Sequence, residues 1–532
     1  MTSLQTGYLR TNGIRIETYY NNFWITSMIL SRYTLKNINS DAVTVPEELL
    51  FNLPEKVLQF GTGVLIRAVP GYFIDKANRA GVFNGRIVAV RMKPAVNASA
   101  FNKQDGLYTH CIRDTKNGEA IEETFINSSI SRVLNVVEQW NEVLDCAHSW
   151  DIQVIISDTT EVGIELVAED IRHLPPKSYP GKLLAFLYER FQAFGGSAHS
   201  GMIIIPTEMI TENGKKLESV VLELAHLNGL EEEFIEWLEN HNRFCNSLVD
   251  RIVPCQPDAN SLGYLESTLE YGDELLIISE NYGLWAIEGD ESLREVLSFV
   301  QVDGRACVEE DISQRWELKI DMLNATHTLC CGISFFYGRD TVKEAMDDQV
   351  LSCFITYMMT EEIAGAMPSK TDNGTNEELA GELLSRLRNP YVNHSWLSIA
   401  NNYSAKMRTR CLPILLKHYE SSDTVPQGIA LGFAAYIYFL KPVVRKNDGY
   451  YGEHNGETYL VEDGQAEVFF KRWSGLSVAS LVQVVLSDAY WGCDLVSLPG
   501  FKQSVIEKLN LIINNGMRET IESIPTKKIK AA

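Results

Sequence analysis

Lys319-Ile320-Asp321-Met322-Leu323-Asn324-Ala325-Thr326-His327 puts a lysine, an amide and an imidazole within nine residues. At about 100° per residue, Lys319, His327 and Asn324 fall at about 0°, 80° and 140° on one helix. Ile320, Leu323 and Cys330 supply apolar neighbours. A lysine held against apolar surface has its ammonium form disfavoured, so its pKa falls toward the range useful for proton transfer. An asparagine amide can donate to an alkoxide or carbonyl oxygen. The same spacing also suits a partly solvated helix face with a satisfied histidine. A second candidate is Gly61-Thr62-Gly63, directly after the apolar run ending at Phe60. Glycines at a strand-to-helix turn let backbone N–H groups approach a pyrophosphate. The third fingerprint position is Ile66 and not glycine, so a tight turn without a ligand fits equally. A third is Pro206-Thr207-Glu208-Met209-Ile210-Thr211-Glu212-Asn213-Gly214, after another apolar run, where Asn213-Gly214 also reads as a plain turn. No GxxxxGK[ST], HExxH or GxSxG motif occurs, and no His or acidic spacing suggests a metal.

These residues need strands and helices to hold them. Residues 56–60 read as a short buried strand and 86–91 as a second, and the continuous apolar runs at 154–157 and 202–205 read as strands covered on both faces. A loop is expected at 61–69, then a helix at about 70–80 with Pro70 in its first turn and Gly81 ending it. Alternating strands and helices predict a parallel, doubly wound sheet. The second strand ends in Arg91, with Lys93 nearby and no acid. An acid there would bind a ribose 2′-hydroxyl, whereas a cation accepts a 2′-phosphate, so NAD and NADP both stay open. From about Glu309, helical periodicity dominates at 316–337, 342–366, 376–388, 403–420, 428–440, 477–489 and 501–516, and strand signals nearly vanish. The fold class expected is an α/β Rossmann-like doubly wound N-terminal domain plus a mostly α-helical C-terminal domain. The divisions are a lead-in at 1–45, a dinucleotide-binding domain at 46–310, a helical substrate domain at 311–525 and a basic tail at 526–532. Met28 offers an alternative start.

The chain has 532 residues, 45% hydrophobic and 22% charged, with a net charge of −23. That composition excludes a disordered chain, and its negative field disfavours nucleic acid and anionic membranes. No apolar stretch is long enough to span a bilayer. The ten cysteines lack any CxxC pair and read as reduced thiols of a cytoplasmic protein.

Taken in order, these motifs resemble the mannitol dehydrogenase family of polyol oxidoreductases. Lys319, Asn324 and His327 look like its catalytic helix, and Val249-Asp250-Arg251-Ile252 like its V-D-R-I signature. The similarity runs from about residue 46 to 518. The resemblance implies a metal-independent, NAD-dependent enzyme in which Lys319 is the general acid/base. Asn213 and Asn324 would hold the reacting oxygen, and His327 would orient the substrate. It implies cofactor contacts from Phe60, Gly61, Thr62, Gly63, Val64 and Arg67, and from Thr160 and Glu161. Segments at 104–109, 159–164, 204–210, 388–391, 406–410 and 455–459 are similar to members acting on hexuronates, implying the pair D-tagaturonate and D-altronate. The rivals are reduction of fructuronate to mannonate, neutral polyol oxidation, and a non-catalytic dinucleotide-binding protein. The family carries a glutamate three residues before the lysine; here that position is Trp316, and Glu317 follows one step later. A carboxylate substrate needs a cationic clamp, for which Arg388, Lys406 and Arg410 are the candidates. An anionic substrate and cofactor entering so acidic a protein imply a local island of Lys and Arg around Lys319.

Overall fold

The buried residues of the central strands of the N-terminal half alternate between two hydrophobic cores, and this alternation builds the main sheet. The computed structural model describes residues 28–92, 98–116, 119–159, 163–254, 259–367, 370–371, 374–391, 394–446 and 449–524. Its main sheet holds β1 (Glu55–Phe60), β2 (Arg86–Arg91), β3 (Ile130–Asn135), β4 (Val154–Ser157), β5 (Ile203–Pro206) and β6 (Arg243–Phe244). All neighbours are parallel, in the spatial order β3-β2-β1-β4-β5-β6. Val57, Ile87, Ala89, Val154, Ile156 and Ile203 face one core; Leu58, Phe60, Val88, Val90, Ile155 and Ile204 face the other. With helices and loops on both sides, the central strands β4 and β5 are buried along their whole length, which is why they read as apolar runs. The order reverses between β1 and β4. The crevice at the carboxyl ends of those two strands is where doubly wound sheets take ligands.

Two smaller sheets extend this half. β7 (Ser247–Asp250) runs antiparallel to β8 (Leu284–Glu288), which is parallel to β9 (Ala306–Glu309). Tyr108–Lys116 pairs with Glu119–Asn127 and with Ile277–Ser279. From Ser313 onward helices dominate around a separate core that runs from Met322 to Ile524. Its centre is Ala325–Tyr337 against Gln427–Phe439, two almost wholly buried helices. Among the described residues no helix is long and apolar enough to cross a membrane, and the nine cysteines form no disulfide.

Three local expectations need correction. The loop is confined to 61–63, because Val64–Ala68 already forms a helical turn before Pro70–Arg79 begins. Pro70 lacks the N–H to continue one helix, so the chain breaks at Val69 and restarts. The helical half also contains an antiparallel sheet of Val444–Lys446, Gly449–His454 and Glu457–Leu460. Its second turn is Asn455-Gly456, both at positive φ, a two-residue hairpin signal that the helical texture around it hid. Finally, 316–337 is not one regular helix: a π-helical turn, Leu318–Asn324, precedes Ala325–Tyr337. The expectations for residues 1–27, Lys93, Thr160, Glu161 and 526–532 fall outside the described residues, as does the side chain of Glu317.

Candidate active site

Lys319 lies on the π-helical turn, where i→i+5 bonding widens the coil and the 100° step no longer sets directions. Its side chain reaches across to the N-terminal half, where Nζ donates to the Val249 carbonyl and lies 3.2 Å from Asp250 Oδ1. The thioether of Met209, in the segment after β5, is 3.9 Å away. Burial holds the Lys319 ammonium below the usual lysine range; Asp250 opposes that, while Arg386 and Arg410 add to it. Asp250 is itself clamped. Both its oxygens accept from Arg386, at 2.9 and 3.0 Å, and Arg386 also donates to Glu280 at 2.7 and 3.0 Å. Burial would raise the Asp250 carboxyl, but Arg386 and Lys319 outweigh it and hold it at about 2. Glu280 goes the other way, because burial exceeds the help it gets from Arg386. Beside Lys319 opens a cavity of about 520 Å³, lined by Asp250, Tyr282, Arg315, Met322 and Arg386 among others.

The structure separates the two asparagines. Asn324 is half-buried and its amide has no hydrogen-bond partner among the described residues, leaving it able to donate to a ligand. Asn213 is fully buried, and its amide nitrogen serves the carbonyls of Pro206, Glu208 and Ser247. Its oxygen accepts from the N–H groups of Gly214 and Ser247. Nothing is left for a reacting oxygen, so the role expected of Asn213 is corrected to pinning the segment after β5. His327 is buried with Nε2 unpartnered, packed edge-on to His394 and Trp396. Burial, then His394, Arg386 and Arg410, hold it well below the usual histidine value. Lys319 and His327 therefore feel the same two arginines and the same aspartate.

The carboxylate-clamp candidates divide too. Arg388 is exposed and reaches only Ser352, at 3.4 Å. Two residues at about 100° each turn it away from the face that carries Arg386, which corrects its expected role. Lys406 donates to the Ile399 carbonyl and its charge bears on His394. Arg410 is near enough to act on both Lys319 and His327. The expected island of positive charge is also corrected: Lys319, Arg386 and Arg315 each face a carboxylate. Met209 and Arg386 escaped the sequence reading as functional residues, and Asp250 entered it only within the V-D-R-I signature. A carboxylate inside the apolar run at 247–254 was the one available signal; Arg386 meets Asp250 across 136 residues.

At the β1–β4 crossover a second cavity, about 470 Å³, is lined by Gly61, Thr62, Arg91, Asp158 and Lys182 among others. Gly61 has φ +131°, and a Cβ there would stand 2.8 Å from the Asp158 carbonyl oxygen. Only glycine lets these strand ends approach so closely. Phe60 lies beneath the loop against Tyr179, while Thr62 and Val64 are half-buried at its rim. Arg67 is buried between Phe101 and Tyr108, with its guanidinium donating to the carbonyls of Thr62 and Leu275. Its expected cofactor contact becomes a support for the glycine loop. Glu208, nearly inaccessible, accepts from Ser157 at 3.0 Å and from Thr159 at 2.8 and 2.9 Å. It staples β4 to β5, so the nucleotide crevice and the Met209–Lys319 contact share one rigid edge.

A sheet in this order, a glycine turn at its crossover and a buried lysine brought to the same edge by a helical domain define a two-domain dehydrogenase on a Rossmann sheet. Two family models match: the mannitol dehydrogenase Rossmann domain over residues 55–299 and the mannitol dehydrogenase C-terminal domain over 311–513. The chain belongs to the mannitol dehydrogenase family. It is 36% identical to an altronate oxidoreductase of Bacillus subtilis (strain 168) over 476 residues, 88% of this chain and 95% of that one. It is 37% identical to the altronate oxidoreductase of Pectobacterium carotovorum subsp. carotovorum (strain PC1) over 484 residues, 88% and 96% of the two chains. The fold matches Pseudomonas fluorescens mannitol 2-dehydrogenase, solved as a ternary complex with NAD and D-mannitol. The TM-score is 0.79 at 21% identity, over 93% of this chain and 99% of that one. D-sorbitol dehydrogenase in substrate-free form gives 0.70 at 21% identity, covering 93% and 100%.

Proposed function

We propose that this chain is an NAD(H)-dependent oxidoreductase that interconverts D-tagaturonate and D-altronate. The observation that carries the reading is Lys319, buried between Asp250 and Arg386 at the sheet edge that bears the glycine crevice. The altronate oxidoreductases, alike over nearly their whole length, supply the substrate. The crevice suits a dinucleotide because its floor closes only around a glycine, with Gly61, Thr62 and Gly63 placing backbone against the ligand. When bound, the nicotinamide supplies or accepts the hydride.

The residues of the chain do the rest. Lys319 in its neutral form takes the hydroxyl proton of the aldonate; as ammonium it returns a proton to the ketone oxygen of the ketouronate. The Asn324 amide donates to that oxygen in both directions, where its partial charge counts most as negative charge develops. His327, kept neutral by burial, orients the substrate, and Arg410 meets the carboxylate that distinguishes a uronate from a neutral sugar. The test is NADH oxidation with tagaturonate, fructuronate and fructose side by side. Tagaturonate is expected to turn over fastest. Faster fructuronate turnover would assign the mannonate-forming reaction, and faster fructose turnover would remove the uronate reading. Lys319→Ala should cut kcat by about 10²–10⁴-fold while NADH still quenches tryptophan fluorescence; undiminished kcat would end the lysine mechanism.

A further inference from the structure

One side chain on the wall of the cavity beside Lys319 stands outside the ion pairs around it. Tyr282 follows the strand Ile277–Ser279, on a segment whose backbone is pinned by two arginines. Arg251 donates to the Tyr282 carbonyl at 2.8 Å, and Arg305 to the Asn281 carbonyl at 2.7 Å. The ring is fixed as well. Arg386 spends its N–H edge on Asp250 and Glu280 and lays its face over Tyr282, with Cζ 4.1 Å from the ring centroid. Tyr282 is nevertheless 36% exposed, and it lines the cavity together with Lys319. Its hydroxyl has no hydrogen-bond partner among the described residues. Burial, then Asp250, push the phenol up to about 12, so it keeps its proton and stays a donor at neutral pH. A rigid platform thus presents one uncommitted donor to the space beside the reactive lysine.

The charges around the cavity decide what that donor meets. Lys319 and Arg386 face Asp250, Arg386 also faces Glu280, and Arg315 is paired with Glu309. These three cations against three carboxylates leave no positive excess, and Glu382 adds an exposed carboxylate to the lining. A substrate carboxylate placed here would meet like charge without a cation to offset it, whereas a hydroxyl meets no such penalty. His327 and Arg410 are not among the described residues that line this cavity.

On the strength of the dehydrogenase reading above, we propose that Tyr282 binds the neutral end of the sugar acid, its phenol donating to the terminal hydroxyl beside the reacting carbon. The carboxylate end then points out of this cavity, to the side where the charge of Arg410 acts on His327. The ketone carbon of tagaturonate carries a hydroxymethyl group on one side and the carboxylate-bearing arm on the other. Reversing the chain about the ketone would turn its opposite face to the nicotinamide, so a contact at the short end also fixes which epimer forms.

The test compares Tyr282→Phe with wild type on two substrates, D-tagaturonate and its analogue with hydrogen in place of the terminal hydroxyl. Phenylalanine keeps the ring under Arg386, so the urea midpoint and the KM for NADH should not move. kcat/KM for tagaturonate should fall about 3–10-fold, the range for one neutral hydrogen bond. For the analogue, which has no hydroxyl to bind, the two proteins should agree within about twofold. Equal losses on both substrates would mean that the phenol acts on the structure and not on the hydroxyl, and an unchanged kcat/KM for tagaturonate would mean that no contact exists; either result overturns the proposal. If wild type turns over neither substrate, the uronate reading fails first and takes this one with it.

Discussion

The pKa of Lys319 is set by opposed neighbours, and the opposition can be tilted. Burial, Arg386 and Arg410 push its pKa down while Asp250 pushes it up. Asp250→Asn removes the one group that raises it and leaves Arg386 less neutralised, so the pKa should fall further. Aldonate oxidation needs the neutral amine, so its rate climbs as pH rises through that pKa, and the climb should start at lower pH in the variant. Ketone reduction needs the ammonium and should decline at correspondingly lower pH. Rate profiles in both directions check the sign; a limb that moves upward would refute it. The two asparagines make a paired prediction. Asn213→Ala removes five hydrogen bonds to backbone, of which those to the Ser247 carbonyl and N–H have no side-chain substitute among the described residues, at about 1–3 kcal/mol for each group left unsatisfied. It should therefore lower urea stability by several kcal/mol. Asn324→Ala, with no side-chain partner to lose among the described residues, should keep its stability and lose about 10²-fold in kcat.

Elements were legible where one hydrophobic period persists and illegible where geometry is set from elsewhere. β4 and β5 declared themselves as apolar runs, β1 and β2 as shorter apolar stretches edged by polar residues, and the long helices of the second half by their 3.6-residue period. The π-helical turn had no such signal, because its residues read as an ordinary helix and the extra residue per turn is imposed by packing. Lys319 and Asn324 were singled out all the same, by residue type. Asn213 was misread for the same reason, since an Asn-Gly pair looks identical whether its amide faces a ligand or five backbone groups. The glycine loop was legible as a turn, and the structure adds why it must be glycine. Gly61→Ala puts a Cβ 2.8 Å from the Asp158 oxygen at φ +131°, a strain of about 1–3 kcal/mol. It should lower the melting temperature and raise the KM for NADH. Gly81→Ala is the control, at φ +69° with no atom within 4 Å: a loss of about 1 kcal/mol and an unchanged KM.

At the scale of the molecule the two halves meet through charge buried at the active site. Arg386, on the helix Asn376–Leu387, is one-tenth exposed and holds Asp250 on β7 and Glu280 just after Ile277–Ser279. No surface pair approaches this in consequence, since exposed ion pairs contribute about 0–1 kcal/mol. Removing one partner of a buried set is different, because it strands charge in a medium that cannot solvate it, at about 3–5 kcal/mol. Arg386→Met keeps the aliphatic bulk but leaves Glu280 without its cation and Asp250 with Lys319 alone, so it should cost that much in denaturant unfolding and uncouple the halves into separate transitions. Adding Asp250→Asn and Glu280→Gln to the same variant removes the stranded charges, and much of the lost stability should return. The wild-type pH profile should not return with it, because Lys319 has then lost both the anion that raises its pKa and one of the two arginines that lower it. A triple variant no more stable than Arg386→Met alone would mean that the arginine acts through packing, and the electrostatic account of the domain junction would be wrong.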